Sequence, residues 1–348
     1  MSVKLNGNGT SRRVSASRAT GSVTLADVAR IAGVSSITVS RAINRPEMVT
    51  PQTIAHVKQI IARTGYVPNL LAGGLASRRT RLVAALVPSI TNAIFVEAVQ
   101  ALTDRLWEAG YQVLLGLSGY PATREDALLA AVLSRRPDAV YITGINHSPE
   151  GRQRLINAKI PVVETWDMTP TPIDMLVGFS HERIGEAVAR HLLAKGHRKF
   201  GLVWADDARA LARQQGFLAE LEAHGVNDVQ VATVPAPSTF TLGRRGLAHL
   251  LEGGARPTAV FCGSDLLAHG AVEEARSRGL SVPRDLALIG FGDLEFASQT
   301  SPALSTVRVD RAAIGRQAAE LILARTDGVD VQTKVIDIGF EIVDRGTT

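Results

Sequence analysis

The sequence predicts an α/β protein with a small helical head and a larger core built on parallel sheets. After residue 81, short apolar segments alternate with amphipathic helices, whereas residues 23–65 contain three short helices with clear capping signals. The charge divides at the same place, because residues 1–81 carry a net charge of +10 and the remainder carries −5, within a total of +5. A small basic segment joined to a larger acidic body indicates a module that binds a polyanion, with nucleic acid as the leading partner.

The composition excludes several classes of protein. The 348 residues are 45% hydrophobic and 20% charged, which suits two or three folded domains rather than a disordered chain. The apolar segments are far shorter than the roughly 20 residues of a membrane helix, and no secretory leader opens the chain. The single cysteine, Cys262, excludes an internal disulfide framework and a cysteine-rich metal site. We therefore expect a cytoplasmic protein with no membrane contact.

The head is predicted from residues that begin and end helices. Thr24, Ser35 and Thr50 each stand where a side-chain oxygen can cap the first turn of a helix. Gly33 and Gly65 stand where a glycine commonly ends a helix. The helices are only about 8 to 15 residues long, so the three must pack together to be stable.

The second helix of the head has the pattern of a helix that reads bases in the major groove. Ser36, Ile37 and Arg41 share a face that the apolar positions do not occupy. Arg41 can contact guanine, Ser36 can donate a hydrogen bond and Ile37 can contact a thymine methyl, each worth roughly 1 to 3 kcal/mol of discrimination. A structural three-helix bundle with a solvated polar face is the alternative, but such a bundle rarely exposes an isoleucine beside an arginine. The hydroxyls suited to phosphates are those of Thr38, Ser40, Thr50 and Thr53.

The core is predicted from apolar segments that alternate with helices. Continuous apolar strands between helices indicate parallel sheets covered on both faces. The strand candidates exceed one average sheet, so we expect two α/β subdomains with a ligand cleft at the carboxyl ends of their strands. These candidates are residues 82–88, 111–117, 139–144, 161–166, 175–179, 200–205, 229–234, 259–263 and 286–291. Helical segments between them include residues 93–109, 124–134, 182–195, 209–224 and 266–278.

Three segments near the N-terminus carry a resemblance to a known family. Residues 23–44 read VTLADVARIAGVSSITVSRAIN, residues 65–69 read GYVPN and residues 71–80 read LAGGLASRRT. With these motifs the chain resembles the lactose-repressor (LacI) family of bacterial transcription regulators, and the resemblance extends to its end. It implies a helix-turn-helix head, a hinge helix, and a periplasmic-binding-protein-like core that senses a small molecule and dimerises.

The resemblance also implies roles for residues of the head and hinge. It places the base-reading positions on Ser36, Ile37 and Arg41, and a leucine that wedges into the minor groove on Leu75. Further contacts with DNA are predicted for Thr24, Ser35, Asn44, Asn69 and Ala72. The predicted domains are a disordered basic tail (1–22), a helix-turn-helix domain (23–67), a hinge helix and linker (68–81) and a two-subdomain core for effector binding and dimerisation (82–348).

The hinge contains two adjacent glycines. Gly73 and Gly74 each weaken a helix by about 1 kcal/mol relative to alanine. We therefore expect residues 69–77 to become ordered only on operator DNA, with a passive flexible linker as the alternative.

Loops that follow the predicted strands supply candidate effector contacts. Aspartate and serine can share hydrogen bonds with sugar hydroxyls, aromatic faces can stack on C–H surfaces, and arginine can hold a carboxylate or phosphate. The candidates are Asn92, Phe95, Ser118, Trp166, Ser180, Arg209, Arg213, Ser264 and Asp293.

The effector class is indicated by a closer resemblance within the family. The segments that carry it are PSITNAIF (88–95), PVVETWD (161–167), LVGFSHERIG (176–185) and VIDIGFEIVDRG (335–346). They resemble the gluconate-responsive branch, which implies a sugar acid such as gluconate, 2-ketogluconate or 6-phosphogluconate. A neutral sugar remains the alternative effector.

Functions of other classes are disfavoured by missing signals. The sequence has no glycine-rich phosphate loop, no nucleophile elbow and no histidines with metal-ligand spacing, so we expect no enzyme activity, no cofactor and no metal. An extracytoplasmic sugar-binding protein would carry a leader and no basic head, and an architectural nucleic-acid protein has no use for a cleft. The remaining prediction is a homodimeric repressor that leaves a pseudo-palindromic operator when ligand binds, with a tetramer left open.

Overall fold

The computed structural model describes residues 23–67, 79–91, 93–254 and 256–348. They belong to two compact units, Met1–Arg79 and Thr80–Thr348. Several predictions lie outside the described residues: the tail at 1–22, the ordering of residues 69–77, and the contacts of Asn69, Ala72, Leu75 and Asn92.

The first unit contains the three helices that the sequence predicts. They are α1 (Leu25–Ala32), α2 (Ser36–Asn44) and α3 (Pro51–Thr64), with a short 3-10 turn at Pro46–Met48. Thr24 and Asp27 form a reciprocal capping box, in which each backbone N–H donates to the side chain of the other. Val28, Val39 and Val57, one from each helix, are completely buried, so the three helices share a single small core.

The second unit contains the remaining helices and all strands of the described chain. Its helices are α4 (Val96–Glu108), α5 (Ala122–Leu133), α6 (Pro149–Ala158), α7 (His181–Ala194), α8 (Ala208–Ala223), α9 (Phe240–Glu252), α10 (Asp265–Ser277) and α11 (Arg311–Thr326). Its strands are β1 (Leu82–Val87), β2 (Gln112–Leu117), β3 (Ala139–Thr143), β4 (Val162–Thr165), β5 (Met175–Gly178), β6 (Phe200–Ala205), β7 (Val229–Val234), β8 (Ala259–Cys262), β9 (Ala287–Ile289), β10 (Thr306–Arg308), β11 (Val335–Asp337) and β12 (Glu341–Val343).

The strands form two parallel sheets, as the sequence predicts. The larger sheet has the order β11-β5-β4-β3-β1-β2 and the smaller one the order β7-β6-β8-β9. Helices cover both faces of the larger sheet: Val83 and Ala85 of β1 pack with Leu102 of α4, whereas Ala84 and Leu86 pack on the other side with residues of α5 and α6. This two-sided burial explains why the strand sequences are continuously apolar rather than alternating.

The segments that connect the two sheets include a third, small sheet. The chain leaves the larger sheet after β5, returns to it after β10 to form α11 and β11, and leaves it again at β12. β10 and β12 pair antiparallel on two of these segments. The sequence did not predict β10, β11 or β12, because each has three residues and none lies in a continuous apolar run like the one that contains β9.

Helices α7 and α8 pack unusually closely because each has a glycine at their contact. A Cβ atom on Gly185 of α7 would overlap the carbonyl oxygen of Arg213, and a Cβ on Gly216 of α8 would overlap that of Glu182. His181 is the first residue of α7, and Arg213 lies on α8. The close approach of the two helices therefore sets the distance between these two side chains.

In the described part of the chain, no helix has the length and apolar character needed to cross a membrane.

Candidate functional site

The exposed face of α2 is the candidate nucleic-acid surface of the first unit. Ile37 exposes 63% of its surface, and Ser36 and Arg41 are exposed on the same helix. Val39 and Ala42 are buried. The helix thus separates a buried apolar face from an exposed face that carries the side chains predicted to read bases.

The hydroxyl groups predicted to contact phosphates lie mostly at helix starts. The Ser35 hydroxyl accepts a hydrogen bond from the N–H of Thr38 at 3.1 Å, and that of Thr50 accepts one from the N–H of Thr53 at 3.4 Å. Helix N-termini favour phosphate oxygens because their first N–H groups lack partners within the helix. The contacts of Ser35, Thr38, Thr50 and Thr53 with DNA stay a prediction. The same holds for Thr24, Ser40 and Asn44.

The second unit contains a cavity at the carboxyl ends of its parallel strands. Its closed part is small, about 50 Å³, and it opens to solvent at its mouth. Residues that follow β4, β6, β8 and β9 contribute to its wall, which matches the predicted position of a ligand cleft. The wall consists of Ile94, Phe95, Tyr120, Trp166, His181, Asp207, Arg209, Arg213, Ser238, Gly263, Ser264, Leu266, Phe291 and Leu294.

A buried arginine and histidine form the polar centre of this cavity. Arg213, only 4% exposed, donates to Nδ1 of His181 at 2.9 Å and to the carbonyl of Gly263 at 3.0 Å. Nε2 of His181 lies 2.8 Å from the carbonyl oxygen of Trp166, to which it must donate because a carbonyl only accepts. The two contacts assign the neutral tautomer of His181 with its proton on Nε2. Burial, followed by the charge of Arg213, holds the pKa of His181 well below its usual value, which agrees with that assignment.

Aromatic rings surround the polar centre. Trp166 packs edge-on against Phe95 with ring centroids 5.1 Å apart, and its indole N–H donates to the Tyr141 hydroxyl at 3.3 Å. The guanidinium of Arg213 lies 4.0 Å from the centroid of Phe291, and that of Arg209 lies 5.5 Å from the centroid of Phe95. The two arginines are therefore held over aromatic faces, which fixes their position by cation–π attraction.

Two carboxylates, Asp207 and Asp167, affect the electrostatics around the two arginines. Burial lowers the pKa of Arg213 to about 10, although Asp207 opposes this shift. Burial also raises the pKa of Asp167 to about 6, although Arg209 and Arg213 lower it. Oδ2 of Asp167 is buried without a hydrogen-bond partner among the described residues. Protonation of Asp167 would leave the two arginines facing Asp207 alone, so an incoming anion would meet a net positive charge.

The cavity brings together five of the predicted effector residues and excludes three. Phe95, Trp166, Arg209, Arg213 and Ser264 lie in its wall. Ser118, Ser180 and Asp293 do not, and their contacts with an effector stay a prediction. Each of the three has a different partner: Ser118 donates to the carbonyl of Gly119, Ser180 caps α7, and Asp293 pairs with Arg308 and Arg345 at 2.6 and 2.7 Å.

Sequence reasoning missed several polar residues of the wall. His181, Asp207 and Tyr120 line the cavity but were not among the predicted contacts. Asp207 carries a usable signal, since it caps α8 directly after β6, where a strand end meets a helix start. His181 has no comparable signal in the sequence, because its role depends on the approach of α7 to α8.

Comparison with known proteins identifies the family. Residues 24–69 match the bacterial regulatory proteins of the lacI family, and residues 189–348 match the periplasmic binding protein-like domain. The HTH-type transcriptional regulator GntR of Pseudomonas aeruginosa is 38% identical over 334 residues, which cover 95% of this chain and 97% of that protein. The chain belongs to the LacI family.

Solved structures of LacI-family proteins share the fold over nearly the whole chain. A LacI-family transcriptional regulator from Silicibacter pomeroyi is 33% identical with a TM-score of 0.88, covering 93% of this chain and 99% of that one. The lac repressor dimer bound to operator and the anti-inducer ONPF is 25% identical with a TM-score of 0.79, covering 94% and 99%. LacI-family regulators bind operator DNA and small-molecule effectors and form dimers, and they are not enzymes. This chain is accordingly a DNA-binding transcriptional regulator, and the prediction that it is not an enzyme is confirmed.

Proposed function

We propose that this LacI-family regulator senses a small sugar acid and that Arg213 holds the carboxylate of the acid. The supporting observation is that Arg213 brings a buried positive charge into the cavity wall, while the groups to which it donates, Nδ1 of His181 and the carbonyl of Gly263, are uncharged. A buried charge without an opposite charge beside it is costly, and a carboxylate in the cavity would offset that cost. A neutral hydroxyl would offset less, because it brings no negative charge to the guanidinium.

The rest of the cavity suits the hydroxylated chain of such an acid. Phe95 and Trp166 offer apolar ring surface to C–H groups, and Asp207, Ser238 and Ser264 offer oxygens to hydroxyls. Arg209 provides a second cation near the mouth, where it is half-buried. This combination of charge, aromatic surface and hydroxyl partners supports the gluconate-type acids over neutral sugars.

Calorimetric titration tests the effector class. Full-length protein is titrated separately with gluconate, 2-ketogluconate, 6-phosphogluconate, ribose and glucose. We expect binding of at least one of the acids and none of the two neutral sugars. Binding of the neutral sugars alone would refute the role of Arg213 in holding a carboxylate.

We further propose how ligand binding in the core changes DNA binding by the head. Two heads of a homodimer bind a pseudo-palindromic operator, and Ser36, Ile37 and Arg41 on the exposed face of α2 read its bases. A ligand in the cavity favours a core geometry that releases the operator and so induces transcription. Coupling between two such sites is typically about 1 to 3 kcal/mol, or roughly 5 to 150-fold in affinity.

A further inference from the structure

A histidine in the loop after β3 is buried between two carboxylates. His147 lies in the loop between β3 and α6, with Nδ1 2.7 Å from Oε1 of Glu125 on α5 and Nε2 3.4 Å from Oε1 of Glu164 on β4. The side chain of His147 is 1% exposed and that of Glu164 is completely buried. Because an ionised carboxylate only accepts hydrogen bonds, a ring with a carboxylate at each nitrogen is best satisfied as the imidazolium.

The charge of His147 follows from this geometry. Burial lowers the pKa of His147, but the hydrogen bond with Glu125 and the negative charges of Glu125 and Glu164 outweigh that effect and raise the pKa to about 9. The contact between Nε2 and Glu164 at 3.4 Å is an ion pair without a hydrogen bond. Other charged groups lie around the cluster. They are Asp126, which accepts from Ser148, Arg154, which donates to the Asp126 carbonyl, and Asp167, whose charge is coupled to that of Glu164.

Glu164 connects the cluster to the wall of the cavity. Its second oxygen, Oε2, accepts a hydrogen bond from the N–H of Ile173, which closes the loop between β4 and β5. That loop begins with Trp166, whose ring lines the cavity and whose carbonyl accepts from His181. Glu125 lies near the start of α5, and Tyr120, just before α5, also lines the cavity.

Trp166 needs such support because its backbone is in an unfavourable conformation. Its φ of 69° lies in the left-handed region, which bulky residues rarely adopt and which persists only when surrounding contacts enforce it. The contacts available are the N–H of Trp166 to the carbonyl of Val177 at 3.2 Å, its indole to Tyr141, and the loop closure through Glu164.

We infer that His147 is a positioning residue, whose imidazolium holds Glu125 and Glu164 together and so keeps the Trp166 wall in the geometry that binds the effector. The role of His147 in effector binding rests on the proposed function of the cavity. The placement of Trp166 does not depend on that proposal and can be tested without any ligand.

The test labels the full-length protein with 5-fluorotryptophan and follows its ¹⁹F resonances. The sequence contains three tryptophans: Trp107 is exposed on α4, Trp204 is buried on β6 of the smaller sheet, and Trp166 is the reporter. Each is assigned by its Trp→Phe variant. The variants compared are His147→Gln and Glu125→Gln, with His224→Gln as a control that removes an exposed histidine also close to a glutamate, Glu220.

Above the titration of the neighbouring Asp167 near pH 6, we expect the Trp166 resonance of the wild type to shift in one step as the pH passes about 9. His147→Gln should displace that resonance at pH 7 and abolish the step. Glu125→Gln should move the step to lower pH, because the loss of one carboxylate lowers the pKa of His147, and it carries the test if His147→Gln does not fold. Trp204 and the His224→Gln control should not respond. A Trp166 resonance with the same position and pH profile in all variants would overturn the inference.

Gluconate titration adds the effector readout. We expect the Kd for gluconate to rise about tenfold in His147→Gln and to stay within twofold in His224→Gln. A wild type that binds gluconate and a His147→Gln variant with the same Kd would overturn the positioning role. A wild type that binds neither gluconate nor the other acids would instead refute the proposed effector class, while the ¹⁹F experiment would still test the placement of Trp166.

Discussion

Arg213 combines a buried charge with hydrogen-bond partners that are uncharged. Replacing it with glutamine removes the charge and, because the shorter side chain ends near the position of Nε, also the donors to His181 and Gly263. We predict that Arg213→Gln weakens gluconate binding about 10 to 100-fold in calorimetry, because a hydrogen bond to a charged group contributes roughly 1.5 to 3 kcal/mol. Arg190→Gln, which changes a 54% exposed arginine on α7, is the matched control and should bind as the wild type does. Equal affinity in both variants would contradict the role of Arg213.

Arg41 and Arg30 allow base reading to be separated from general charge. Both are exposed arginines of the head, but Arg41 lies on α2 and Arg30 lies on α1, where it pairs with Asp27. We predict that Arg41→Ala lowers the preference for operator over a site with one changed base pair by roughly 1 to 3 kcal/mol. Arg30→Ala should lower affinity for both sites alike, as loss of one positive charge does. Fluorescence anisotropy on the two duplexes measures this, and an unchanged preference in Arg41→Ala is the contrary result.

Side chains of the cavity could be predicted from the sequence only where the residue type, such as a charged group or a large ring, itself indicates ligand binding. Trp166 was predicted because a large ring directly after a strand is informative by itself, whereas Arg213 lies within α8 and was predicted from the resemblance to the family. Ser180 and Asp293 have the same kind of chemistry but are used as a helix cap and an ion-pair partner. His181 and His147 are placed by contacts with residues 32 and 22 positions away, which no local pattern reveals.

The pair α7–α8 is the element that positions the polar centre of the cavity. A methyl group at Gly216 would overlap the backbone of α7, so the helices must separate and Arg213 must move away from His181. We predict that Gly216→Ala lowers stability by about 1 to 3 kcal/mol in denaturant unfolding and also weakens gluconate binding. Ala219→Gly, on the exposed side of the same helix, is the control, since it lowers helix stability by about 1 kcal/mol without altering the contact. Full gluconate affinity in Gly216→Ala would contradict this account.

At the scale of elements, the strands and helices of both units were predictable because their patterns are local. All nine predicted strand segments contain a strand, and Thr24, Ser35 and Thr50 cap the three helices of the head. Strands β10, β11 and β12 were not predictable, because each is only three residues long and lies outside a continuous apolar run.

At the scale of the molecule, the division of charge explains why one chain serves two partners. The net charge of +10 within residues 1–81 suits a polyanion, and the −5 of the remainder disfavours contact between the core and DNA. We predict that operator affinity falls steeply between about 50 and 200 mM salt, with log K linear in log salt, because counterions compete for the phosphates. Gluconate affinity should depend on salt much less, since Arg213 is buried. Equal salt dependence of the two affinities would argue against this division.

We propose that a sugar acid bound in the core controls the affinity of the head for DNA. The most direct test measures, by gel shift, the affinity of the full-length protein for a DNA site selected from a random pool, with and without saturating gluconate. We predict a loss of affinity of about 5 to 150-fold, the range expected for coupling of roughly 1 to 3 kcal/mol. Unchanged or tighter binding of the DNA in gluconate would contradict it.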